Sequence, residues 1–370
     1  MSAMKAVLAP VGGLDWVKPG MKIAVKANLV TFMKPESAAT THPSVLIALV
    51  KLLRERGAEV IVGDSPGGLY NAAFVGRVYA ATGMKLVEQA GAQLNRNFGE
   101  AHASFPEARV AKEFTYTAWL DDADAIIDFC KLKSHGMMSM SAAVKNLFGT
   151  IPGTLKPEYH FKYPDERDFA DMLVDLNEYF KPRLAIADAI VGMEGNGPTA
   201  GEPRQIGALM ASQSTYNLDL VCADVIGVTM NDVPTIRAAY ERGLCPASSA
   251  ELDVAGDLAG ARISDFKNIL SHRGLQFQGS GSVFSRLTGK VIGAALSSKP
   301  DVVEKSKCVG CGVCAGVCPA HAIEIKDRLP KIDRKKCIRC FCCQEFCPKG
   351  AMVVKRPLIA RVLSRNTFQN

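Results

Sequence analysis

The sequence contains no run of eighteen apolar residues, the length that a transmembrane helix needs. Its first sixteen residues, MSAMKAVLAPVGGLDW, hold one lysine and an apolar stretch that proline and glycine interrupt, a poor match to a signal peptide. Aromatic residues make up only 7% of the chain, and the basic C-terminal part lacks the aromatic interleaving of nucleic-acid-binding modules. We therefore expect a cytoplasmic protein that binds neither membranes nor nucleic acids.

Motifs for nucleotide binding are also missing. There is no Walker loop, and no G-x-G-x-x-G opens a helix after a strand, so a nucleotide cofactor has no support from the sequence. GDSPG at 63–67 does match the G-x-S-x-G nucleophile elbow. However, Pro66 follows the serine, and proline has no backbone N–H to contribute to an oxyanion hole. We interpret GDSPG as a turn at the end of a strand.

Cysteine is abundant, but its distribution does not suit a disulfide scaffold. Nine of the twelve cysteines lie between 308 and 347, in a long chain without an export signal, which predicts metal binding. Two runs, CVGCGVCAGVCP and CIRCFCCQEFCP, follow the spacing C-x2-C-x2-C-x3-C-P and begin 29 residues apart. Zinc sites rarely show two copies of such a run, so the spacing favours iron–sulfur clusters over zinc.

The segment 300–356 resembles a bacterial ferredoxin that carries two [4Fe–4S] clusters. In such ferredoxins each run supplies three thiolates to its own cluster and the fourth to the other cluster. The resemblance therefore implies Cys308, Cys311, Cys314 and Cys347 for cluster one, and Cys337, Cys340, Cys343 and Cys318 for cluster two. Cys342 breaks the register of the repeat and is left over, either as a small apolar filler or as a spare ligand or redox-active thiol.

Residues 1–298 alternate between apolar strands and helices. This pattern predicts an α/β domain in which a mostly parallel sheet has helices on both faces. The predicted strands are 21–29, 58–64, 125–130, 183–191 and 206–212. The predicted helices are 43–57, 70–90, 138–148, 166–180 and 215–229.

A second, smaller domain is predicted at the C-terminal end. We expect an α+β ferredoxin-like two-cluster domain at 299–356, preceded by a linker at 271–299 that contains GSGS and SSKP. A tail at 357–370 completes the chain.

Polar residues follow several predicted strands, and ligands of parallel sheets bind beyond the carboxyl ends of strands. KLKSHGMMSMSAAVKNLFG at 131–149 leads from a strand into a predicted helix. Lys131, Lys133 and His135 are therefore expected at a helix N-terminus, which favours an anion. Lys145 and Asn146 lie further along that helix. The alternatives are a solvated turn for the lysines and a structural role for the histidine.

The stretch DAIVGMEGNGPTAGEP at 188–203 adds two carboxylates. Asp188 and Glu194 near the basic cluster would suit proton transfer or metal binding. A tight structural loop, with Asp188 capping a turn, is the alternative. Further candidates for substrate binding are Lys26, Asn28, Asp64 and His160.

Several motifs in order resemble the signature of the domain-of-unknown-function family 362. They are KANLV, GDSPG, KLKSH…AVKNLFG followed by His160, and DAIVGMEGNGP followed by Gly201. The similarity spans about 18–230, and members often carry a two-cluster ferredoxin module at the C-terminus. The resemblance implies an iron–sulfur protein of redox type, without a particular substrate.

A fainter similarity concerns the nickel-pincer lactate racemases. His135 and Lys145 stand ten residues apart, as do a histidine and a lysine in those enzymes, where the lysine anchors the organic nickel cofactor. Here Ala-Ala-Val precedes Lys145, whereas the racemases have Gly-Gly-Pro. The similarity leaves open 2-hydroxycarboxylate chemistry and an additional metal or organic cofactor.

The leading hypothesis from these motifs is an iron–sulfur oxidoreductase that accepts single electrons from a ferredoxin-like donor. Lys131, Lys133 and Lys145 would hold a small anionic substrate or cofactor. His135 would handle protons, and the two carboxylates of the 188–203 stretch would orient it or hold a metal. The alternatives are a non-catalytic electron-transfer subunit or adaptor, and a redox or iron sensor.

The net charge of +7 is unevenly distributed. Residues 299–370 hold fifteen basic and six acidic residues, a balance of +9, whereas the remaining 298 residues carry −2. This surplus predicts a patch for an acidic redox partner such as a ferredoxin or flavodoxin, with a solvated face as the alternative. A homo-oligomer is also compatible with the sequence.

Overall fold

The computed structural model describes residues 1–269, 299–302 and 305–355. The predicted linker, except for its last residue, and the predicted tail lie outside the described residues. The strands are β1 (Lys22–Ala27), β2 (Glu59–Gly63), β3 (Gln93–Leu94), β4 (Glu100–Ser104), β5 (Glu113–Thr117), β6 (Ala125–His135), β7 (Ser139–Ser141), β8 (Leu184–Glu194), β9 (Glu202–Ser212), β10 (Lys299–Val302), β11 (Ile323–Lys326), β12 (Leu329–Ile332) and β13 (Met352–Lys355). The helices are α1 (Ser2–Leu8), α2 (Pro43–Glu55), α3 (Ala72–Ala81), α4 (Met84–Gln89), α5 (Ala143–Asn146), α6 (Lys156–Lys162), α7 (Glu166–Phe180), α8 (Thr215–Val225), α9 (Pro234–Glu241), α10 (Leu258–Ala261), α11 (Val313–Gly316) and α12 (Cys342–Glu345).

The largest sheet has the strand order β3-β2-β1-β6-β8-β9, with β7 also paired to β6. The pairs β2–β3, β1–β2, β1–β6 and β6–β8 are parallel. Only β7 and β9 run antiparallel to their neighbours in this sheet, within the described residues. The prediction of a mostly parallel sheet is confirmed.

Helices cover both faces of this sheet, as predicted. In β8, Leu184 and Ile186 pack in one core cluster with residues of α1 and α2. Ala185 and Ala187 pack in another cluster, with residues of α8. Successive side chains of a strand point to opposite faces, so the apolar run LAIA at the start of β8 requires a cover on each side.

The predicted helix at 70–90 is two helices, α3 and α4. Gly83 lies between them and adopts a φ of +75°, in the left-handed region that ends a regular helix. A Cβ at this position would lie 2.9 Å from Cγ of Pro43, at the start of α2. Glycine therefore allows the break between α3 and α4 and the close packing of this break against the start of α2.

The stretch from Lys131 to His135 belongs to strand β6, and its prediction at a helix N-terminus is wrong. Lys133 and His135 pair with Ser141 and Ser139 of β7, and Lys131 pairs with Asp188 of β8. The helix predicted at 138–148 begins only at Ala143. The alternation K-x-K-x-H has the period of a strand, so these side chains reach the site from the sheet itself.

The cysteine-rich part, 299–302 and 305–355, forms a small α+β module. Strand β10 pairs with β13 and β11 with β12, both antiparallel, while α11 and α12 carry cysteines of the two runs. Phe341 and Val354 of the module pack into a core cluster of the α/β domain. The Gln344 side chain donates hydrogen bonds to the carbonyls of Asn196 (2.7 Å) and Gly197 (3.1 Å). The module is thus joined to the larger domain by apolar and polar contacts.

None of the helices within the described residues combines the length and apolar character needed to cross a bilayer.

Gly149 provides a test of the packing beside the strand ends. A Cβ there would overlap the Asp64 carboxylate and the Lys26 ammonium, which are both buried. We expect Gly149→Ala to lower the free energy of unfolding by about 1–3 kcal/mol, measured by urea denaturation without oxygen. Gly76→Ala is the matched control, because a Cβ in this helical position meets nothing within 4 Å and should raise stability by up to about 1 kcal/mol. Equal stability of the two variants would contradict this packing.

Candidate functional site

A cavity of about 720 Å³ lies between the α/β domain and the cysteine-rich module, and we call it the interface cavity. Its polar lining from the α/β domain comprises Asn28, Asp64, Lys133, Lys145, Asn146, Lys156 and His160. The module contributes Val313, Val317, Glu345, Phe346, Cys347 and Lys349, among others. Asn28 and Asp64 directly follow the ends of β1 and β2, where parallel sheets bind ligands.

Asn146 connects the strand ends on the floor of the cavity. Its Oδ1 accepts hydrogen bonds from Lys26 Nζ (3.2 Å) and Asn28 Nδ2 (2.8 Å). Its Nδ2 donates to Asp128 Oδ1 (2.5 Å). Lys26 also forms an ion pair with Asp64 at 2.8 Å, and the other oxygen of Asp64 accepts from the Leu29 N–H. These contacts hold β1, β2, β6 and α5 together at the site.

Asp128 was not among the residues that the sequence singled out. It lies in the apolar run of β6 and is fully buried, and this burial raises the pKa of its carboxyl to about 8. At neutral pH the carboxyl therefore holds a proton. The sequence did hold a signal for this residue, namely an aspartate within the apolar run AIIDFC. A carboxyl that is buried in such a run needs either a partner or a proton.

Two of the predicted lysines are bound within the protein. Lys131 forms an ion pair with Asp188 at 2.8 Å, and the same Asp188 oxygen accepts from the His42 N–H at 2.9 Å. Lys133 lines the cavity and donates to Asn28 Oδ1 (2.7 Å) and to the Ala39 carbonyl (2.9 Å). Burial, together with the charge of Lys145, lowers the pKa of Lys133 to about 7.

Lys145 is different, because its ammonium has no ion pair or hydrogen bond with any residue that the structure describes. Its Nζ lies 5.6 Å from the centre of the Phe148 ring. Burial lowers its pKa below the ordinary value. Lys156, which no sequence motif marked, also lines the cavity and donates to the Ser65 carbonyl, and burial lowers its pKa to about 8.

His135 is fully buried and contacts a residue of the cysteine-rich module. Its Nδ1 accepts from the backbone N–H groups of Met137 and Met138, both at 3.1 Å, so the ring proton is placed on Nε2. Nε2 lies 2.8 Å from Glu345 Oε1, although neither atom has a well-aligned hydrogen bond within the described residues. Burial, and the nearby charge of Lys145, lower the pKa of His135 to about 4, so the ring is neutral at pH 7.

Glu345 is the second residue that sequence reasoning missed. It lies two positions before Cys347 and lines the cavity. Burial opposes its ionisation, but the charge of Lys145 and the contact with His135 outweigh that effect and lower its pKa. No local signal marked this residue, because its environment comes entirely from the other domain.

His160 lines the cavity with its ring stacked on Phe169, 4.3 Å between centroids. Burial lowers its pKa to about 3, so this ring is also neutral at pH 7. Its Nδ1 has no hydrogen-bond partner within the described residues.

The structure does not place the two carboxylates of the 188–203 stretch beside His135. Asp188 pairs with Lys131, and Glu194 lies 3.3 Å from Lys267 Nζ and accepts from the Lys267 N–H. Neither lines the interface cavity. In the part of the chain that the structure describes, no three His, Cys, Asp or Glu side chains are grouped to hold a single metal ion.

Two smaller cavities lie within the module, and each is lined by cysteines. The first is lined by Cys308, Cys311, Cys314 and Cys347. The second is lined by Cys318, Cys337, Cys340, Cys343 and also Cys342. All are free thiols, and positive φ angles at Gly310 (+69°) and Gly312 (+78°) let the first loop curve around its cavity. These donor sets fit [4Fe–4S] cubes.

Cys342 is buried at the start of α12, and its sulfur is close to that of Cys340. This contact and burial raise the pKa of the Cys342 thiol. Its burial agrees with a packing role, and its place beside the second cavity also agrees with a spare thiol.

The protonated carboxyl of Asp128 predicts a pH dependence of stability. Its pKa is about 8 in the folded state against an ordinary 3.8, so stability is lost as pH rises through this range, by up to about 1.4 kcal/mol per pH unit. Asp128→Asn keeps an oxygen for Asn146 but does not titrate. Relative to this variant, the wild type should lose stability between pH 5 and pH 8 and then change no further, measured by urea denaturation without oxygen. A constant difference across the range would contradict a buried, protonated Asp128.

Both parts of the chain are similar to known protein families. The family model described as "Domain of unknown function (DUF362)" matches residues 23–224, and that described as "4Fe-4S dicluster domain" matches residues 300–348. The chain is 35% identical over 260 residues to the "Thylakoid-associated protein sll1697" of Synechocystis sp. (strain ATCC 27184 / PCC 6803 / Kazusa), covering 68% of this chain and 77% of that protein.

Among solved structures, the lactate racemase apoprotein from Thermoanaerobacterium thermosaccharolyticum is similar with a TM-score of 0.41 and 11% identity. The match covers 62% of this chain, and the chain spans 55% of that racemase. The family matches confirm the resemblance that the motifs predicted. The chain belongs to the DUF362 family, a domain of unknown function, and it carries a C-terminal 4Fe–4S dicluster domain.

Proposed function

We propose that the protein is an iron–sulfur oxidoreductase that transfers single electrons to a small anionic substrate in the interface cavity. One observation carries the proposal. Cys347, a predicted cluster ligand, lines the same cavity as four basic side chains of the α/β domain, Lys133, Lys145, Lys156 and His160. An electron carrier and a site for an anion are therefore neighbours.

The proposal includes two [4Fe–4S] clusters, which supply one-electron transfer when bound. It is supported by two cavities, each lined by the four cysteines that the ferredoxin resemblance implies for one cluster. Cys347 would hold cluster one and also borders the interface cavity. A cluster held by Cys347 would therefore lie close to a substrate in the interface cavity.

Lys145 binds the anion in this proposal. Lys26 and Lys131 already have aspartate partners at 2.8 Å, whereas Lys145 has no ion pair with the described residues. A carboxylate of the substrate would complete its hydrogen bonding and offset the cost of burying its charge. Lys133 and Lys156 add positive charge to the cavity wall.

Lys133, Glu345 and His135 handle the protons that reduction of an organic substrate consumes. Glu345 is ionised and His135 is neutral at pH 7, so neither holds an acidic proton. Lys133 lines the cavity with a pKa of about 7 and gives its ammonium proton to the substrate. The charge of Glu345 favours the protonated form of Lys133, and His135 directs its Nε2 proton towards Glu345 and stabilises the carboxylate. The role that the sequence suggested for His135 alone is thus shared by three residues.

The electron donor is proposed to be an acidic protein such as a ferredoxin or flavodoxin. Support comes from exposed basic side chains of the module, among them Lys305, Lys335, Lys336 and Lys349. The twelve free cysteines suit a reducing compartment, and we propose a cytoplasmic location.

Substitution of Glu345 and His135, which support the proton donor, tests the proposed chemistry. Protein purified without oxygen is mixed with reduced methyl viologen and a panel of carboxylic acids, and viologen oxidation is followed by absorbance. We expect His135→Ala and Glu345→Gln each to lower the turnover rate by about 100-fold or more, because proton transfer is lost.

His102→Ala is the control, since His102 is exposed on β4 and does not line the interface cavity. Iron content is measured for every variant. Full turnover by either variant with its iron intact would sink the assignment. If no acid in the panel is reduced by the wild type, the chain is a non-catalytic electron-transfer subunit or a sensor.

Iron analysis tests the cluster assignment separately. Two cubes require about eight irons per chain. Cys343→Ser should lose about half of this iron, whereas Cys342→Ala should keep all of it, because Cys342 is outside the eight proposed ligands. Iron loss in Cys342→Ala, or about four irons in the wild type, would contradict the assignment.

A further inference from the structure

The interface cavity differs in character between its buried and its exposed parts. The more buried part has two half-buried lysines and the neutral, buried His160 around the Phe148 ring. The Nζ atoms of Lys145 and Lys156 lie 5.6 and 5.8 Å from its centroid, and the ring of His160 lies 5.5 Å away. His160 is only 1% exposed. We call these three residues the basic end of the cavity.

The exposed part of the cavity is mainly apolar, although the exposed Lys349 also lines the cavity, and we call Phe32, Leu69, Phe74, Val313 and Phe346 its apolar mouth. Phe32, Leu69 and Val313 are 43%, 55% and 37% exposed, three of the nine large hydrophobic side chains exposed within the described residues. The Phe32 and Phe74 rings are 4.7 Å apart. Exposed apolar residues that gather at one cavity indicate binding of an apolar group.

Gly67 of the GDSPG turn and the following Gly68 build this mouth. A Cβ at Gly68 would overlap the Phe74 ring, and a Cβ at Gly67 would lie 3.0 Å from the Phe346 ring. The turn therefore brings an aromatic ring of the α/β domain and one of the module to the same opening. The motif serves packing at the mouth rather than nucleophilic catalysis.

The electrostatics of the basic end suit a carboxylate. Lys145 has no ion pair within the described residues, although its charge and that of Glu345 favour each other's ionised form. Two ammonium groups, Lys145 and Lys156, and one carboxylate, Glu345, leave a net positive charge that one further carboxylate would balance. Pockets of about 300–1,000 Å³ typically hold drug-sized ligands, so a three-carbon acid would leave most of the 720 Å³ cavity unfilled.

We propose that the substrate is an amphipathic carboxylic acid, a medium-chain or aryl-alkyl acid, whose carboxylate lies at Lys145 and whose apolar body lies against the apolar mouth. That this acid is a substrate rests on the proposed function. Its binding mode does not require turnover. The cavity selects such an acid by two independent contacts, an ion pair at the buried part and burial of apolar surface at the exposed part.

Calorimetric titration of the iron-loaded protein without oxygen tests the proposal, with octanoate, its neutral amide and acetate as probes. We expect octanoate to bind at least tenfold more tightly than octanamide or acetate. Lys145→Met should weaken octanoate at least tenfold and leave octanamide unchanged. Leu69→Ser should weaken octanoate at least threefold and leave acetate unchanged, because it removes only apolar contact.

Leu86→Ser is the matched control for Leu69→Ser, since Leu86 is 53% exposed and does not line the cavity. Both leucines are exposed, so these variants should fold even if Lys145→Met does not. The proposal is overturned if acetate or octanamide binds as tightly as octanoate, if Leu69→Ser and Leu86→Ser behave alike, or if octanoate does not bind at millimolar concentration.

The two proposals can fail separately. If octanoate binds as expected but no acid supports viologen oxidation, the ligand class stands and the oxidoreductase function fails. If acids are turned over with the same KM for acetate as for octanoate, the function stands and the ligand class fails.

Discussion

Burial of positive charge at the carboxyl ends of neighbouring parallel strands is the constraint on which the site depends. Lys26, Lys131 and Lys133 are each at most 2% exposed. An ammonium removed from water destabilises a protein by several kcal/mol unless it is paired and hydrogen-bonded. Lys26 and Lys131 are paired with aspartates that follow or lie in adjacent strands, and Lys133 is bonded to two oxygens. These contacts fix the arrangement of the strand ends. They also leave the charges of Lys26 and Lys131 neutralised by aspartates within the protein.

What remains in the interface cavity follows from that pairing. Lys145 keeps an ammonium without a charged partner in the described residues, and the cysteine-rich module brings Glu345 to the same space. Glu345 is the last residue of α12 and Cys347 follows two positions later, so an ionised carboxylate that lines the cavity and a predicted cluster ligand are held in one relative position. Their docking depends on Phe341, Val354 and Gln344, which pack or hydrogen-bond against the α/β domain.

Local sequence patterns predicted secondary structure correctly where the structure depends on residues close together in the chain. The helix predicted at 166–180 has the same limits as α7, and each predicted strand of the large sheet is present. The failures have local causes as well. Gly83 breaks the segment predicted as one helix, and the polar alternation from Lys131 to His135 was taken for a helix start although its period is that of a strand. A buried lysine in a strand is rare, which favoured the wrong interpretation.

The sequence by itself determined the chemistry of the module, because cysteine spacing within a run is a property of consecutive residues and cannot depend on distant contacts. It also determined the α/β class, through the alternation of apolar strands and helices. The tertiary structure alone decided which polar side chains form the site. Asn146 meets Lys26 across 120 residues of chain, Glu345 reaches His135 from another domain, and Glu194 is held by Lys267 away from the cavity. Such contacts join residues that are far apart in the sequence and are brought together only by the pairing of strands and the packing of domains. Composition and local periodicity therefore cannot predict them.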